Sequence, residues 1–174
     1  MEIWDLYDYQ RQKTGETMKR GDPIPEGRYH LTVRVIIFNN AGQMLIQQRQ
    51  PFKDGWPNRW DLTVGGCVSA GETSQIAGMR EVAEEIGYEV DLTGMTPAIT
   101  LSSKNVFNDN YILIREIDPT HLKLQPEEVQ AAKWATKEEI FEMIDDGRFI
   151  PFPHSFIEYL FYRKSVLYPP KGET

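Results

Sequence analysis

The amino-acid sequence predicts a mixed α/β sandwich with a short β-structured appendage at its N-terminus. Alternating apolar residues, many of them β-branched, predict a strand over residues 30–38. Apolar residues at helical spacing predict a helix over 74–86. Because further strand and helix patterns then alternate along the chain, helices are expected to cover a β-sheet. The 174 residues suit one compact domain, and we predict an appendage at 1–28, the domain at 29–165 and a tail at 166–174.

The composition excludes several classes of function. The net charge is −7, from 19 basic and 26 acidic residues, so binding to nucleic-acid polymers or to anionic membranes is not expected. No apolar run approaches the roughly 18 residues that span a bilayer. A single cysteine, Cys67, excludes an internal disulfide and a zinc site made of several cysteines. Since the first five residues lack the basic and apolar segments of a secretory signal, we expect a cytoplasmic protein.

The first third of the chain is predicted to form strands and turns. Residues 3–9 alternate apolar and acidic side chains, which is typical of a strand or hairpin. The strand at 30–38 is followed by a turn at 39–42, which predicts a hairpin with its returning strand at 44–49. After a loop that contains two prolines, a short strand is expected at 60–64.

The rest of the chain alternates helices and strands. For the helix at 74–86, Gly87 stands where a left-handed C-terminal cap belongs. The apolar residues that the spacing assigns to its buried face are Ile76, Met79, Val82, Ala83 and Ile86. Three strands are predicted near 98–101, 111–115 and 131–134. A capping box at Thr136–Glu139 begins a second helix that ends at Gly147, and a last helix is expected at 155–163.

A cluster of carboxylates lies within the helix at 74–86. Glu81, Glu84 and Glu85 stand at i, i+3 and i+4, so they share one stripe, which the helical count places opposite the apolar face. Three neighbouring carboxylates repel one another, and a hard divalent cation such as magnesium or manganese reverses that penalty. Arg80 is positioned to pair with Glu84 or with Glu72. The pattern therefore predicts a divalent metal site.

The stretch from Gly66 to Tyr88 resembles the Nudix box, the signature of the Nudix hydrolase superfamily. The box consists of Gly, five residues, Glu, seven residues, Arg-Glu, an aliphatic residue, any residue, Glu-Glu, any residue, Gly and an aliphatic residue. This sequence matches every position except the last, where Tyr88 replaces the aliphatic residue. The resemblance implies a Nudix-fold α/β/α sandwich around a mixed β-sheet, and looser similarity extends over about residues 28 to 165.

The resemblance also implies roles for individual residues. Glu81, Glu84 and Glu85 match the metal-binding glutamates, and Gly66 matches the glycine whose carbonyl oxygen commonly faces the metal. Arg80 and Glu72 match the supporting ion pair. The implied reaction is hydrolysis of a phosphoanhydride bond in a small-molecule substrate, a nucleoside diphosphate linked to another moiety, with Mg²⁺ as cofactor and Mn²⁺ as the alternative ion. The general base is a box glutamate or a later acid, for which Glu127 or Glu128 are the candidates, and we select Glu128.

Two other functions compete with hydrolysis. The segment from Arg28 to His30 and the hairpin after it resemble the subgroup that contains isopentenyl diphosphate isomerase, in which His30 would be a metal ligand. That isomerase needs a cysteine seven residues before the first box glutamate, where this chain has Gly65, and Cys67 lies two residues later. A non-catalytic nucleotide-binding domain is the second alternative, although such domains typically lose box glutamates and this chain retains them all. We therefore favour a hydrolase.

The sequence gives only general candidates for substrate recognition. Five aromatic residues could stack on a base, although each could instead belong to the core: Trp56, Trp60, Phe107, Tyr111 and Trp134. Arg49, Lys53 and Arg59 are candidates to contact phosphate groups, and they are equally well explained as surface cations. A homodimer is an expectation drawn from the family tendency, with the N-terminal appendage as the segment that would exchange.

Overall fold

The computed structural model describes residues 2–169, which form a two-stranded sheet, a seven-stranded sheet and three α-helices. The strands are β1 Ile3–Tyr7, β2 Lys13–Lys19, β3 His30–Phe38, β4 Met44–Arg49, β5 Trp60–Asp61, β6 Val64–Cys67, β7 Ile99–Ser103, β8 Val106–Ile114 and β9 Val129–Ala135. The helices are α1 Ser74–Ile86, α2 Lys137–Asp145 and α3 His154–Leu167. The predicted mixed α/β class is confirmed. The predicted tail at 166–174 begins within α3, and its residues 170–174 lie outside the described residues.

The large sheet is mixed and forked. Its main path runs β5-β4-β3-β8-β7, with β6 paired to β3 and β9 paired to β4. β3 and β8 are parallel over their full length, from His30 opposite Val106 to Phe38 opposite Ile114. The predicted hairpin of β3 and β4 holds only at its turn, where Phe38 pairs with Met44. Beyond that pair the two strands diverge, and β3 pairs with β6 instead.

A buried threonine separates β5 from β6, which were predicted to be one strand. Residues 60–64 were expected to form a single strand, but β5 pairs with β4 whereas β6 pairs with β3. Between them, the fully buried Thr63 accepts a hydrogen bond from the Ile37 N–H (3.0 Å) and donates one to the Leu45 carbonyl. Its hydroxyl thus replaces the missing ladder bonds, which buried backbone groups require.

Helices cover both faces of the large sheet. One face, carrying Val33, Val35 and Ile37 from β3, packs with α1, whereas the opposite face, carrying Ile36 and Phe38, packs with α2 and α3. α2 begins with the predicted capping box, in which Thr136 and Glu139 exchange hydrogen bonds. α3 extends four residues beyond the predicted end at 163. Within residues 2–169, no helix combines the length and the apolar character needed to cross a bilayer.

The buried face of α1 differs from the predicted one. Ile76 is 48% exposed and Ala83 is also exposed, whereas the residues that are buried are Ser74, Ala77, Gly78, Val82, Glu85 and Ile86. Gly78 is the physical reason, because a Cβ at this position would lie 2.8 Å from Leu92 Cδ1 and 3.1 Å from Val35 Cγ2. The helix approaches the sheet through its smallest residues. The observed buried face of α1 is therefore rotated about the helix axis by roughly 100° from the predicted face, which is the angle between consecutive residues.

The predicted N-terminal appendage is a hairpin of β1 and β2. It is fixed to the main domain at several points. Tyr7 forms a backbone bridge with Tyr29, and the Trp4 ring stacks on the His30 imidazole at 4.3 Å between centroids. At the hairpin turn, the Arg11 guanidinium forms an ion pair with the fully buried carboxylate of Asp109. These contacts place the open end of the hairpin beside the end of β6.

Candidate active site

A cavity of about 590 Å³ lies where β3, β6 and α1 meet. Its wall includes side chains from the N-terminal hairpin, from the end of β4 and from the loop before β9. Eleven of the lining residues are charged, and these are Glu2, Arg20, Arg34, Arg49, Lys53, Asp61, Arg80, Glu81, Glu84, Glu85 and Glu128. Carboxylates and cations thus line the cavity in nearly equal numbers. The site accordingly suits a charged ligand far better than an apolar one.

Arg80 is the centre of an ion-pair network at one side of the cavity. Its Nε and Nη2 atoms donate to the two carboxylate oxygens of Glu72, both at 2.9 Å. Its Nη1 atom donates to Glu81 at 2.8 Å and to Glu84 at 3.3 Å. Nη2 also donates to the Cys67 carbonyl at the end of β6 (3.1 Å). This planar fork fixes α1 to the preceding loop and orients two of the cluster carboxylates.

Glu81 packs directly on Gly66. A Cβ built at Gly66 would lie 2.1 Å from the carboxylate carbon of Glu81, so residue 66 must lack a side chain for Glu81 to occupy its position. Burial raises the pKa of Glu81, and the ion pair with Arg80 opposes that shift. The structure therefore places the glycine and the carboxylate in contact at the cavity wall.

Glu85 is the most buried member of the cluster, at 7% exposure. Its Oε2 atom accepts a hydrogen bond of 2.8 Å from Gln47 on β4. Burial raises the pKa of Glu85 to about 8, against which the Gln47 hydrogen bond acts in the opposite direction. The prediction that all three carboxylates lie on the solvent side of α1 is thus wrong. Only Glu84 is exposed, because the rotated helix turns Glu81 and Glu85 toward the sheet.

The carboxylates do not already converge on one point. Within residues 2–169, no three His, Cys, Asp or Glu side chains are gathered closely enough to ligate a single ion. Arg80 holds Glu81 and Glu84, and Gln47 holds Glu85. The donor set nevertheless fits a hard cation, since it consists of oxygen atoms only and burial disfavours the ionised forms of both Glu81 and Glu85. A bound divalent ion would supply the missing positive charge.

The remaining predicted polar residues are distributed around the same cavity. Glu128 lines it and forms an ion pair with Lys53 at 2.5 Å. Arg49 also lines it, with Nη1 3.8 Å from a carboxylate oxygen of Asp61. Arg59 does not line the cavity and instead lies beside Gly147. Two of the three cations predicted to contact phosphate, Arg49 and Lys53, therefore line the cavity, and their role stays a prediction.

None of the five predicted aromatic residues lines this cavity. Tyr111 is fully buried with its hydroxyl 2.8 Å from that of Ser74, and the Trp134 indole donates to the Ile117 carbonyl at 3.0 Å. Core packing accounts for both. His30 stacks on Trp4 outside the cavity. Burial raises the pKa of Cys67 to about 11, which keeps the sulfur protonated and poorly nucleophilic near neutral pH.

Among the polar residues at the site that sequence reasoning missed are Arg34, Gln47, Asp61 and Asn108. One signal was available. Thr32 and Arg34 occupy alternate positions in an otherwise apolar strand, and a cation on a central strand requires a special environment. Gln47 and Asn108 gave no such signal, because amides are common on half-buried strands and only the tertiary contacts distinguish these two.

The raised pKa of Glu85 predicts a pH-dependent stability in chelator. The ordinary pKa is 4.5 and the folded value is about 8, so the folded state binds the proton more tightly. The proton on Glu85 therefore contributes to the free energy of unfolding. This contribution is fully present below pH 4.5 and is lost as the pH rises through about 8. Between pH 6 and pH 9, the free energy of unfolding of the wild type, measured in urea, should fall by roughly 2–3 kcal/mol relative to that of Glu85→Gln. A constant difference between the two proteins would show that Glu85 is already ionised at pH 6.

Comparisons with known proteins match this architecture. The NUDIX domain family model matches residues 28–158. The uncharacterized Nudix hydrolase lmo0368 of Listeria monocytogenes is 42% identical over 166 residues, 95% of this chain and 97% of that protein. An isopentenyl-diphosphate Delta-isomerase of Citrobacter koseri is 27% identical over 146 residues, 80% of each. The crystal structure of DR0079 from Deinococcus radiodurans is similar with a TM-score of 0.72 at 26% identity, covering 91% of this chain and 97% of that one.

Proposed function

The chain belongs to the NUDIX domain family, and we propose that it is a Mg²⁺-dependent hydrolase of a nucleoside diphosphate linked to another moiety. One observation carries the proposal. Glu81 and Glu85 both line one charged cavity, Glu81 packs directly on Gly66, and burial disfavours the ionised form of both carboxylates. A diphosphate brings further negative charge to these acids, so a divalent cation is required between them.

The residues suited to hold this cation are Glu81, Glu84 and Glu85, together with the carbonyl oxygen of Gly66. When bound, a divalent ion neutralises charge on phosphoryl oxygens and lowers the pKa of a water molecule. Arg80 prepares the site, because its bonds to Glu72 fix the guanidinium that in turn orients Glu81 and Glu84. The hydrogen bond from Gln47 performs the same task for Glu85.

Other residues of the cavity are suited to bind the phosphates and to accept a proton. Arg49 and Lys53 both line it and supply positive charge for phosphoryl oxygens. Glu128 is our candidate for the general base, since its carboxylate lines the same cavity and the ion pair with Lys53 fixes its orientation. Binding of phosphate to Lys53 would weaken that ion pair and release the carboxylate to accept a proton from water.

Isomerisation of an allylic diphosphate is the second candidate, because isopentenyl-diphosphate isomerases are among the relatives of this chain. Gly65 argues against it, since the resemblance places the isomerase cysteine at this position. The only cysteine, Cys67, has a raised pKa of about 11 and packs beside the small core formed by Trp4, Leu6 and Met18. A nucleotide-binding domain without catalysis is disfavoured because all the box glutamates are present.

A product screen by mass spectrometry tests the proposal. Purified protein is incubated with nucleoside triphosphates, dinucleotides, nucleotide sugars and isopentenyl diphosphate, with Mg²⁺ and with chelator. We expect cleavage of a phosphoanhydride bond in at least one compound, only with the metal, and the fragments then identify the substrate. If isopentenyl diphosphate is isomerised but not cleaved, the result would contradict hydrolysis and support isomerisation, the second candidate. No change in any compound, combined with tight nucleotide binding, would favour a binding domain.

A further inference from the structure

Arg34 extends from the central strand β3 to the wall of the cavity, away from the carboxylate cluster of α1. Its Nη1 atom donates a hydrogen bond of 2.9 Å to Asn108 Oδ1, and its guanidinium lies over the Phe152 ring, 5.3 Å from the centroid. The amide of Asn108 is fixed in turn, because it donates to Thr32 Oγ1 at 2.7 Å and accepts from Asn110 at 2.8 Å. The side chain of Arg34 is therefore held in one orientation.

This guanidinium lacks a counter-ion of its own. Across residues 2–169, no carboxylate oxygen lies within 4.0 Å of it, and the acid that acts on it electrostatically is Asp61. Asp61 itself lies 3.8 Å from Arg49. Arg34 and Arg49 thus share the carboxylate of Asp61, and neither arginine has it as a close partner. Burial lowers the pKa of Arg34, as expected for a cation removed from water without a full partner.

Gly65 provides the space that Arg34 occupies. The two residues are opposite each other in the pairing of β3 with β6. A Cβ at position 65 would lie 3.3 Å from Arg34 Cγ and 3.4 Å from the Val33 carbonyl oxygen, so a side chain there would crowd the arginine and force it to shift. A cysteine at 65 and an extended Arg34 therefore compete for the same space. Gly65, which argues against isomerisation, thus also leaves room for the Arg34 side chain.

We propose that Arg34 binds an anionic group, a phosphate or a carboxylate, on the part of the substrate that lies beyond the scissile diphosphate. The inference rests on the proposed hydrolase function and narrows its substrate class. Such a group supplies the counter-ion that the protein lacks, and the guanidinium offers it N–H donors that Asn108 leaves unused. Arg34 is then a specificity-determining residue, and an uncharged or isoprenoid group at this place is disfavoured.

Matched pairs of diphosphates test this proposal. Each pair differs by one anionic group: NADPH and NADH differ by a phosphate, coenzyme A and dephospho-coenzyme A by a phosphate, and UDP-glucuronate and UDP-glucose by a carboxylate. Binding is measured by calorimetry with Ca²⁺ in place of Mg²⁺, and hydrolysis of the same six compounds is measured separately with Mg²⁺. In at least one pair, the wild type should bind the compound with the extra anionic group at least tenfold more tightly than the compound without it. The pair that shows this preference identifies the anionic group.

Three variants assign the preference to Arg34. Arg34→Met retains the contact with Phe152 without the charge, and it should reduce the preference to less than twofold while binding the neutral member as wild type does. Gly65→Cys keeps the charge but displaces the side chain, and it should reduce the preference at least threefold. The control Arg148→Met removes an exposed arginine paired with Asp146 and should change nothing. Circular dichroism verifies that each variant is folded.

The outcomes separate this inference from the proposed function. Absence of a preference in all three pairs, or an unchanged preference in Arg34→Met, would overturn the role of Arg34 even if hydrolysis is observed. A preference that depends on Arg34, without hydrolysis of any compound, would support the anion site and contradict the hydrolase. Both proposals are supported when the preferred compound is also cleaved.

Discussion

Replacing Glu84 by glutamine is expected to lower kcat/KM by about 100-fold or more, roughly 2.7 kcal/mol of transition-state stabilisation. The substitution keeps the size of the side chain but removes one of the three negative charges proposed to hold the metal. Glu84 is the exposed member of the cluster, with 52% of its side chain accessible, and its ion pair with Arg80 is the longest of the three at 3.3 Å. Initial rates across a Mg²⁺ titration measure the effect.

The same substitution should leave stability nearly unchanged. An exposed ion pair contributes little, and the loss of one charge also relieves repulsion from Glu81, so the free energy of unfolding should change by less than about 0.5 kcal/mol. Glu138→Gln on α2 is the matched control, because Glu138 is exposed and lies outside the cavity. Wild-type rates for Glu84→Gln at saturating Mg²⁺ would remove Glu84 from the proposed metal ligands.

Replacing Gly66 by alanine should reduce activity at least as strongly, although it adds only one methyl group. That methyl group would lie 2.1 Å from the carboxylate carbon of Glu81, a distance that no pair of unbonded atoms tolerates. The Glu81 carboxylate must therefore move, and we expect its 2.8 Å bond with Arg80 to be lost. We expect a loss of kcat/KM of about 100-fold or more, on the order of 3 kcal/mol, together with weaker metal affinity, measured by Mn²⁺ binding.

The control for this change is Gly55→Ala. A Cβ at Gly55 would meet only the Arg49 guanidinium, at an ordinary distance of 3.9 Å, so the same chemical change should be tolerated. If Gly66→Ala binds Mn²⁺ and turns over substrate as wild type does, then the contact between Glu81 and Gly66 has no functional role. Unfolding in urea distinguishes local displacement of Glu81 from a general loss of the fold.

Local sequence signals predicted much of the fold correctly. The predicted bounds of α1 are correct: apolar spacing indicated the helix, and Gly87 adopts the predicted left-handed conformation after its last residue. The beginning of α2 was predicted because the capping box satisfies its N–H groups within four residues. The pairing of Arg80 with Glu72 and Glu84 followed from spacing along one helix and the loop before it. Such contacts join neighbours in the sequence, where spacing alone determines distance.

Contacts between distant segments decided the rest. Periodicity gave the wrong buried face for α1, because close packing of Gly78 against β3 outweighs the burial of Ile76. That rotation, rather than the order of the glutamates, buries Glu85 and changes its pKa.

Residues close together in the chain were thus enough to predict the family, most of the helices and strands, and the spacing of the three glutamates on α1. The environment of each carboxylate, and the position of Arg34 beside Asn108, 74 residues away, came from the folded chain instead. Solvation and charge pairing depend on which groups the fold brings together, and spacing along the chain does not specify this.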